Sequence, residues 1–188
     1  MERTMTAGAL LRAALTEERP LQVMGAVNAY AALLAERSGF RALYLSGAGV
    51  ANASFGFPDL GMTTLADVAE EARRITGATR LPLLVDVDTG WGHPLMIGRV
   101  IREMERAGAA GVHIEDQVAS KRCGHRPGKA LVTAEAMVQR IRAAVQARSD
   151  ADFVVMARTD AVAVEGIAAA VGRASLYRQA GADMLFPE

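Results

Sequence analysis

The sequence of 188 residues is poor in aromatic side chains, holds a single cysteine and carries no excess of either charge. One cysteine cannot form an intrachain disulfide, which indicates a reducing compartment. The 21 basic and 21 acidic residues cancel, so a basic surface for nucleic acid is not expected. No apolar run approaches the roughly 18 residues of a membrane span, and Arg12 interrupts the apolar stretch that a signal peptide would need. We therefore expect a cytoplasmic protein without membrane or nucleic-acid partners.

What the sequence does have is an alternation of short apolar runs with longer segments of helical periodicity, in a chain that is 51% hydrophobic. Gly39, Gly108 and Gly181 each follow a helical segment, where a left-handed residue commonly ends a helix. Strands that are separated by helices must be parallel. Strands are predicted at residues 21–27, 42–46, 83–88, 111–115, 153–159 and 184–188, and helices at 6–16, 28–38, 64–76, 95–107, 133–148 and 167–180.

Polar residues occur at the C-terminal ends of most predicted strands: Ser46, Asp86, Asp88, Glu115, Asp116, Arg158, Asp160 and Glu188. A barrel gathers such residues around one axis, whereas a doubly wound sheet concentrates its site at one switch point. No glycine-rich phosphate motif follows the first strand, which also favours the barrel. The predicted fold class is therefore α/β, a (β/α)8 barrel of the TIM type. A whole barrel takes about 250 residues, so we expect residues 1–188 to form one barrel domain, incomplete at the C-terminus, with about the first six βα units.

Asp86 and Asp88 stand two residues apart at the end of a predicted strand, where alternation would turn both carboxylates to one side. Two like charges repel each other there. A hard divalent cation such as Mg²⁺ or Mn²⁺, bound by carboxylates and water, would relieve that repulsion. Glu115 on the next strand is a candidate third ligand. The alternative is that the carboxylates form salt bridges with Arg158 or Lys121.

Three further side chains each allow two interpretations. Arg158 is expected either to clamp a substrate carboxylate or to pair with Asp160 or Glu188. His113 is expected to be a satisfied interior histidine, and the alternative is a catalytic histidine. Trp91 is either part of a lid or a packing residue.

The segment Lys121-Arg122-Cys123-Gly124-His125 holds the only cysteine, and Arg126-Pro127-Gly128-Lys129 follows directly. Nearby positive charge favours the thiolate, and glycine and proline predict an irregular loop that can move. The alternative is an inert cysteine, buried as a small hydrophobic residue. With a metal and an arginine clamp, a reactive Cys123 predicts metal-assisted cleavage or formation of a carbon–carbon bond beside a keto acid, with the thiol exchanging a proton at carbon.

These motifs resemble the isocitrate lyase/phosphoenolpyruvate mutase superfamily, through residues 86–92, 113–117 and 121–125. Supporting stretches are residues 44–47, 57–61, 126–129, 157–160 and 185–188. Within the superfamily, the members that cleave 2-methylisocitrate to pyruvate and succinate match over essentially the whole chain. The resemblance implies a Mg²⁺-dependent lyase of the methylcitrate pathway of propionate breakdown. It also implies a small anionic tricarboxylate substrate and a homotetramer of barrels.

Carried onto this chain, the resemblance assigns substrate contacts to Ser46, Gly47, Ala48, Cys123, Gly124, Arg158 and Glu188, and the metal to Asp86 and Asp88. Cys123 would be the general acid that protonates the departing succinate carbanion, on a loop that closes over the site. Lys121, His125 and Glu115 would tune that acid, and Asp59 would assist.

The sequence departs from the superfamily in two respects. Ala48 stands where many relatives have glycine. The last two strands, their rim residues and the C-terminal helices that members exchange between subunits have no counterpart. The alternatives that stay open are isocitrate lyase, dimethylmalate lyase or oxaloacetate hydrolase activity, or a truncated fragment without activity.

Overall fold

A computed structural model describes residues 5–188, which form six strands connected by helices. The strands are β1 Val23–Gly25, β2 Ala42–Leu45, β3 Leu83–Asp86, β4 Gly111–Glu115, β5 Val154–Thr159 and β6 Met184–Pro187. The helices are α1 Ala7–Glu17, α2 Ala29–Arg37, α3 Gly47–Phe55, α4 Leu65–Ala78, α5 Pro94–Arg106, α6 Ala134–Ala147, α7 Ala161–Glu165 and α8 Ile167–Gln179. Within residues 5–188 no helix has both the length and the apolar character needed to cross a bilayer.

The sheet is parallel throughout, and its strands lie side by side in chain order from β1 to β6. A doubly wound sheet reverses direction within its strand order, and this sheet does not. The six strands curl into a half-barrel. The prediction of an α/β barrel architecture is therefore confirmed.

Most of the longer helices begin at a side chain that accepts a hydrogen bond from the backbone of the first turn. These capping residues are Thr6, Asn28, Ser46, Thr64, His93 and Thr133. The Asp67 carboxylate in turn accepts a hydrogen bond from the Thr64 N–H, which completes a capping box at the start of α4. Such caps satisfy amide donors that the helix leaves free, so they fix where each helix begins.

The core lies between the sheet and the helices that cover one of its faces. Alternate strand residues such as Leu43, Val85, Val112 and Val155 are buried in this core together with residues of α2, α4, α5 and α6. Full burial of one such side chain contributes about 1.5 to 3 kcal/mol. Because a strand alternates sides, the residues between them face the concave side of the half-barrel. That side is where the polar strand-end residues lie.

Helix α1 closes the end of the sheet where the strands begin. Gly8 lies against the backbone of Asp152 so closely that a Cβ at this position would overlap it. Arg12 places Nη2 2.9 Å from Asp183 Oδ1, and Arg148 Nη1 lies 2.7 Å from the other carboxylate oxygen of Asp183. These contacts tie α1 and α6 to the beginning of β6.

Four elements differ from those predicted. Strand β1 spans only Val23–Gly25 within the predicted range 21–27. Strand β3 ends at Asp86 instead of residue 88, because Asp88 has a φ of 47° that takes the chain out of the extended conformation. A loop is predicted from residue 52, whereas α3 continues to Phe55, begun by the Ser46 cap despite its two glycines. Helix α7 is a single short turn after β5 and has no periodic signal in the sequence.

Candidate active site

The candidate active site occupies the concave face of the half-barrel at the C-terminal ends of the strands. Strand β3 ends at Asp86, β4 ends at Glu115, and β5 carries Arg158 one residue before its end. Ser46 follows β2, and Glu188 follows β6. The predicted gathering of polar groups at one rim is therefore confirmed.

The two aspartates meet beside the first turn of α3. The Gly47 N–H donates to Asp86 Oδ2 at 3.0 Å, and the Asp88 N–H donates to Asp86 Oδ1 at 3.0 Å. A Cβ at Gly47 would lie 3.2 Å from both Asp86 Oδ2 and Asp88 Oδ1. The sequence predicts that strand alternation turns the two carboxylates to one side. In the structure a turn after Asp86 brings them together instead. Glycine keeps the space in front of them open.

Burial and mutual repulsion act on this pair unequally. Burial and the neighbouring Asp86 charge raise the pKa of Asp88 to about 6. Burial also opposes ionisation of Asp86, but His113, the Gly47 and Asp88 N–H groups and Lys121 together hold its pKa below the ordinary value. Asp86 is therefore the permanent anion, and Asp88 is the carboxylate whose charge needs a cation beside it.

Lys121 supplies such a cation among the described residues. Its Nζ lies 2.7 Å from Asp88 Oδ1 and also bonds Asp59. Burial alone would lower the pKa of Lys121, but the two carboxylates raise it above its ordinary value. The salt bridge from Lys121, given above as the alternative to a metal, is thus present at Asp88 in this structure.

The residues present fit a hard divalent cation with two protein ligands. Among residues 5–188 no group of three His, Cys, Asp or Glu side chains lies close enough to hold a metal, so the expectation that Glu115 completes a shell is not met. Mg²⁺ commonly keeps several waters and takes only one or two carboxylates. The open space that Gly47 leaves in front of Asp86 and Asp88 is consistent with that mode of binding.

The side chains of His113 and Trp91 at the rim are held in place by neighbouring protein groups. His113 is fully buried, with Nε2 2.7 Å from Tyr44 Oη and 3.4 Å from Asp86 Oδ1. Burial lowers the pKa of His113. Trp91 donates from Nε1 to the Thr63 carbonyl at 2.8 Å and packs against the core. His113 is an interior residue, as predicted, but it is not fully satisfied, because its buried Nδ1 has no hydrogen-bond partner among the described residues. Trp91 is a packing residue.

Arg158 is held by carboxylates on both sides. Its Nε and Nη2 donate to the two oxygens of Asp160 at 3.0 and 3.1 Å. Glu115 Oε2 lies 3.4 Å from Nε, and Glu188 Oε2 lies 3.7 Å from Nη2. Burial raises the pKa of Glu115 to about 9, although Arg158 acts in the opposite direction. Arg158 is thus paired with Asp160, which is one of the two interpretations given above. With its raised pKa, Glu115 is a protonated carboxyl near neutral pH.

Cys123 is half-buried on the wall of a cavity of about 590 Å³ at the mouth of the site. The cavity is also lined by Asn52, Pro58, Asp59, Leu60, Arg122, Arg126 and Pro127. Five positive or potentially positive side chains stand near the sulfur in the sequence, and the structure gives several of them acidic partners. Lys121, His125 and Lys129 are each paired with carboxylates. The basic residues that line this cavity beside the thiol are Arg122 and Arg126.

The loop that carries Cys123 lies directly on the end of β5 and β6. A Cβ at Gly124 would overlap Arg158 Nη2 and Glu188 Oε1, so a larger residue there would displace these two side chains. His125, which is largely exposed, places Nδ1 3.1 Å from Glu188 Oε1. Gly124, Arg158 and Glu188 therefore form one contact group with Cys123 beside it.

The first turn of α3 supplies the remaining predicted contacts. Ser46 is half-buried, and its hydroxyl accepts from the Gly49 N–H at 3.3 Å as the helix cap. Gly47 is engaged with Asp86, and Ala48 is half-buried next to them. These residues present small side chains and a helix start to the site.

Three buried groups at the rim are not among the catalytic, substrate or metal residues that the sequence predicts. Asp116 and Asp160 are fully buried, and Lys129 pairs with Asp160 at 2.8 Å. The position of both aspartates at strand ends is visible in the sequence. No sequence signal marks Lys129, because it approaches the rim only through the path of the loop.

The chain matches the family described as phosphoenolpyruvate phosphomutase over residues 11–188. It is 63% identical over 185 residues to 2-methylisocitrate lyase of Shewanella oneidensis, covering 98% of this chain and 63% of that protein. It is 60% identical over 182 residues to 2-methylisocitrate lyase of Escherichia coli, covering 96% of this chain and 62% of that protein. The chain thus spans less than two thirds of the length of these relatives.

Solved structures give the same fold. A 2,3-dimethylmalate lyase superposes with a TM-score of 0.90 at 42% identity, over 98% of this chain and 63% of that one. Phosphonopyruvate hydrolase in complex with oxalate and Mg²⁺ superposes with a TM-score of 0.86 at 35% identity, over 98% of this chain and 63% of that one. The half-barrel therefore corresponds to part of a longer architecture in these proteins.

Proposed function

The chain belongs to the phosphoenolpyruvate phosphomutase family, and on that basis we propose that it carries the catalytic rim of a carbon–carbon lyase that splits 2-methylisocitrate into pyruvate and succinate. Identities of 63% and 60% to enzymes of that name support the choice of substrate. The observation that carries the proposal is the contact of the Cys123 loop with Arg158 and Glu188, on the rim that also holds the aspartate pair. The site would belong to a cytoplasmic homotetramer of the methylcitrate pathway.

The aspartate pair is the proposed place for Mg²⁺, held by Asp86 and Asp88 with water completing the shell. When bound, the ion would polarise the α-hydroxy acid and stabilise negative charge on its oxygens. Asp88 Oδ1 lies 2.7 Å from Lys121 Nζ. On binding the ion, Asp88 would exchange this contact with Lys121 for one with Mg²⁺. Lys121, together with Asp59, would remain as a cation beside the site.

The substrate carboxylates would be bound by groups that already point into the rim. Arg158 offers a guanidinium held in a fixed orientation, and a bidentate contact suits a carboxylate. The start of α3 at Gly47 and Ala48, with the Ser46 hydroxyl, would offer small polar contacts beside the aspartate pair. Gly124 and Glu188 would contact the substrate beside Arg158.

Cys123 is the proposed general acid. When the bond between the two product halves breaks, the succinate half keeps the electron pair and must take up a proton at carbon. The thiol stands on the wall of the open cavity and carries a transferable proton. Glu115, which is protonated near neutral pH, and His125 would tune the surroundings of that step.

The test compares four substrates with the purified chain in Mg²⁺. Pyruvate and succinate are measured from 2-methylisocitrate, with isocitrate, 2,3-dimethylmalate and oxaloacetate in parallel. We expect equimolar products and the highest kcat/KM for 2-methylisocitrate. A higher value for one of the other three would overturn the substrate. Binding of Mg²⁺ with oxalate but no turnover of any substrate would favour the inactive-fragment alternative.

A further inference from the structure

Lys129 lies at the end of the cysteine loop but points back into the protein. Its side chain is only 4% exposed. Nζ donates to the Gly124 carbonyl at 2.8 Å and to Asp160 Oδ1 at 2.8 Å. One ammonium group thus joins the backbone next to Cys123 to a carboxylate at the end of β5.

Asp160 is shared between the loop and the arginine. Its two carboxylate oxygens accept from Arg158 Nε and Nη2 while Oδ1 also accepts from Lys129. The side chain of Asp160 is fully buried, so water does not replace either partner. The orientation of Arg158 and the position of Gly124 are therefore set by the same carboxylate.

Asp160 is in turn fixed by a second buried aspartate. Asp116 Oδ1 accepts the Asp160 N–H at 3.0 Å, and its Oδ2 accepts the hydroxyls of Thr159 and Tyr177 at 2.7 and 2.8 Å. Arg173 Nη1 lies 3.5 Å from Oδ2. These side-chain contacts of Asp116 come from the end of β5, from Asp160 directly after it and from α8, and they anchor the Lys129–Asp160 pair to the scaffold.

We propose that Lys129 is a positioning residue that holds the Cys123 loop against the Arg158 end of the site through Asp160. Its consequence for catalysis rests on the proposed function, whereas its effect on the loop does not. The beginning of the loop has its own anchors: Lys121 pairs with Asp59 and Asp88, and Gln117 and Arg122 exchange hydrogen bonds. Beyond Cys123, Lys129 is the buried anchor, since the His125–Glu188 contact is largely exposed to water and therefore weak.

Removal of the ammonium group would act locally. In Lys129→Met the Gly124 carbonyl loses its donor, but Asp160 keeps Arg158 and the backbone bond to Asp116. A buried carboxylate that retains a bidentate arginine is still paired, so the strands should remain in place. The loop, in contrast, would open more often, since local openings follow the loss of local contacts.

The experiment is amide hydrogen exchange of the ligand-free chain, resolved by peptide. We expect residues 121–128 to exchange at least about tenfold faster in Lys129→Met, with β4 and β5 unchanged, because the change is in local opening. Lys129→Arg keeps charge and donors and should restore slow exchange. The control Arg148→Met removes a comparable arginine–aspartate pair at the opposite end of the sheet and should leave the loop unchanged.

Unchanged loop exchange in Lys129→Met would overturn the proposal. Equal acceleration in β4 and β5 would do so as well, since that pattern reports a general loss of stability. Failure of the proposed function would be seen separately, as absent turnover by the wild-type chain, and would not alter the exchange result.

Discussion

At the scale of single residues, the site depends on a few positions where size matters as much as charge. Gly47 leaves space before the aspartate pair, and Gly124 lets the loop backbone touch Arg158 and Glu188. Neither glycine has a positive φ, so the need is for space and not for an unusual backbone. Substitutions at these two positions would act by displacing neighbours.

Cys123→Ser tests the proton-transfer role of the thiol. The hydroxyl is close in size but a much weaker acid, so turnover of 2-methylisocitrate should fall by about 10²- to 10⁴-fold. KM should change little, because Arg158 and the aspartate pair still bind the substrate. Steady-state kinetics of both chains provide the measurement. Near-normal turnover by the serine variant would make Cys123 a packing residue of the loop.

Asp88→Asn tests the metal site without relying on activity. A ligand that binds only the folded state raises the unfolding temperature, so Mg²⁺ should stabilise the wild-type chain. The variant has one anionic ligand fewer and should lose most of that stabilisation. Thermal unfolding with and without Mg²⁺ measures the effect, and Asp152→Asn, far from the rim, is the control. Equal stabilisation of both chains by Mg²⁺ would exclude Asp88 as a ligand.

At the scale of elements, tight connections set where the site residues lie. The turn after β3 gives Asp88 a φ of 47° and Trp91 a φ of 53°, which places Asp88 over Asp86. Helix α3 starts directly at Ser46 and delivers the Gly47 N–H to the same carboxylate. Short connections leave little freedom to either group, so the pair is preorganised.

Asp183 makes a pH-dependent contribution to the docking of α1 and α6. Burial opposes its ionisation, but the Val155 N–H, Arg12 and Arg148 together lower its pKa below the ordinary 3.8. The stabilisation is therefore complete above pH 3.8 and is lost as pH falls through the folded-state value. Asp183→Asn should cost about 1 to 3 kcal/mol at neutral pH.

Urea unfolding of both chains between neutral and acidic pH measures this contribution. The difference between wild type and Asp183→Asn should shrink toward low pH, because the wild-type carboxylate becomes neutral as well. Asp150→Asn is the control. A difference that stays constant down to the most acidic pH would contradict the assignment.

The sequence predicts the order of strands and helices and most of their boundaries. Apolar runs and capping residues such as Thr64 carry that information locally. Pairings such as Lys121 with Asp59 are not predictable in this way, because the partners are 62 residues apart and meet only through the fold. The sequence does not predict helix α3, because its two glycines disfavour a helix. The Ser46 cap and packing in the folded chain favour it instead.

At the scale of the whole molecule, the half-barrel has two edges. Strand β1 is exposed throughout, and Tyr30 on the adjacent α2 is 70% exposed. At the other edge, Ile167 and Val171 of α8 are 73% and 61% exposed beside an apolar cavity of about 220 Å³ that also involves Leu185. Open strand edges with apolar surroundings favour association.

We expect the purified chain to self-associate through the β6 edge. Val171→Lys should shift the population toward monomer, because the charge would be buried in the contact. Sedimentation velocity over a range of concentrations measures the shift. Leu95→Lys is a matched control, since Leu95 is 82% exposed on α5 and lies away from both edges. A wild-type chain that stays monomeric at high concentration would contradict this expectation.

The strand order also has a consequence for how the protein is made. Because each strand pairs with the one before it, every new βα unit finds its partner already synthesised, and most contacts join nearby parts of the chain. Folding can therefore follow translation unit by unit. Helix α1 is the exception, because its contacts at Asp152 and Asp183 lie 140 and 171 residues further along the chain. Its apolar face must stay unsatisfied until those residues have been made, so α1 docks later than most of the βα units that follow it.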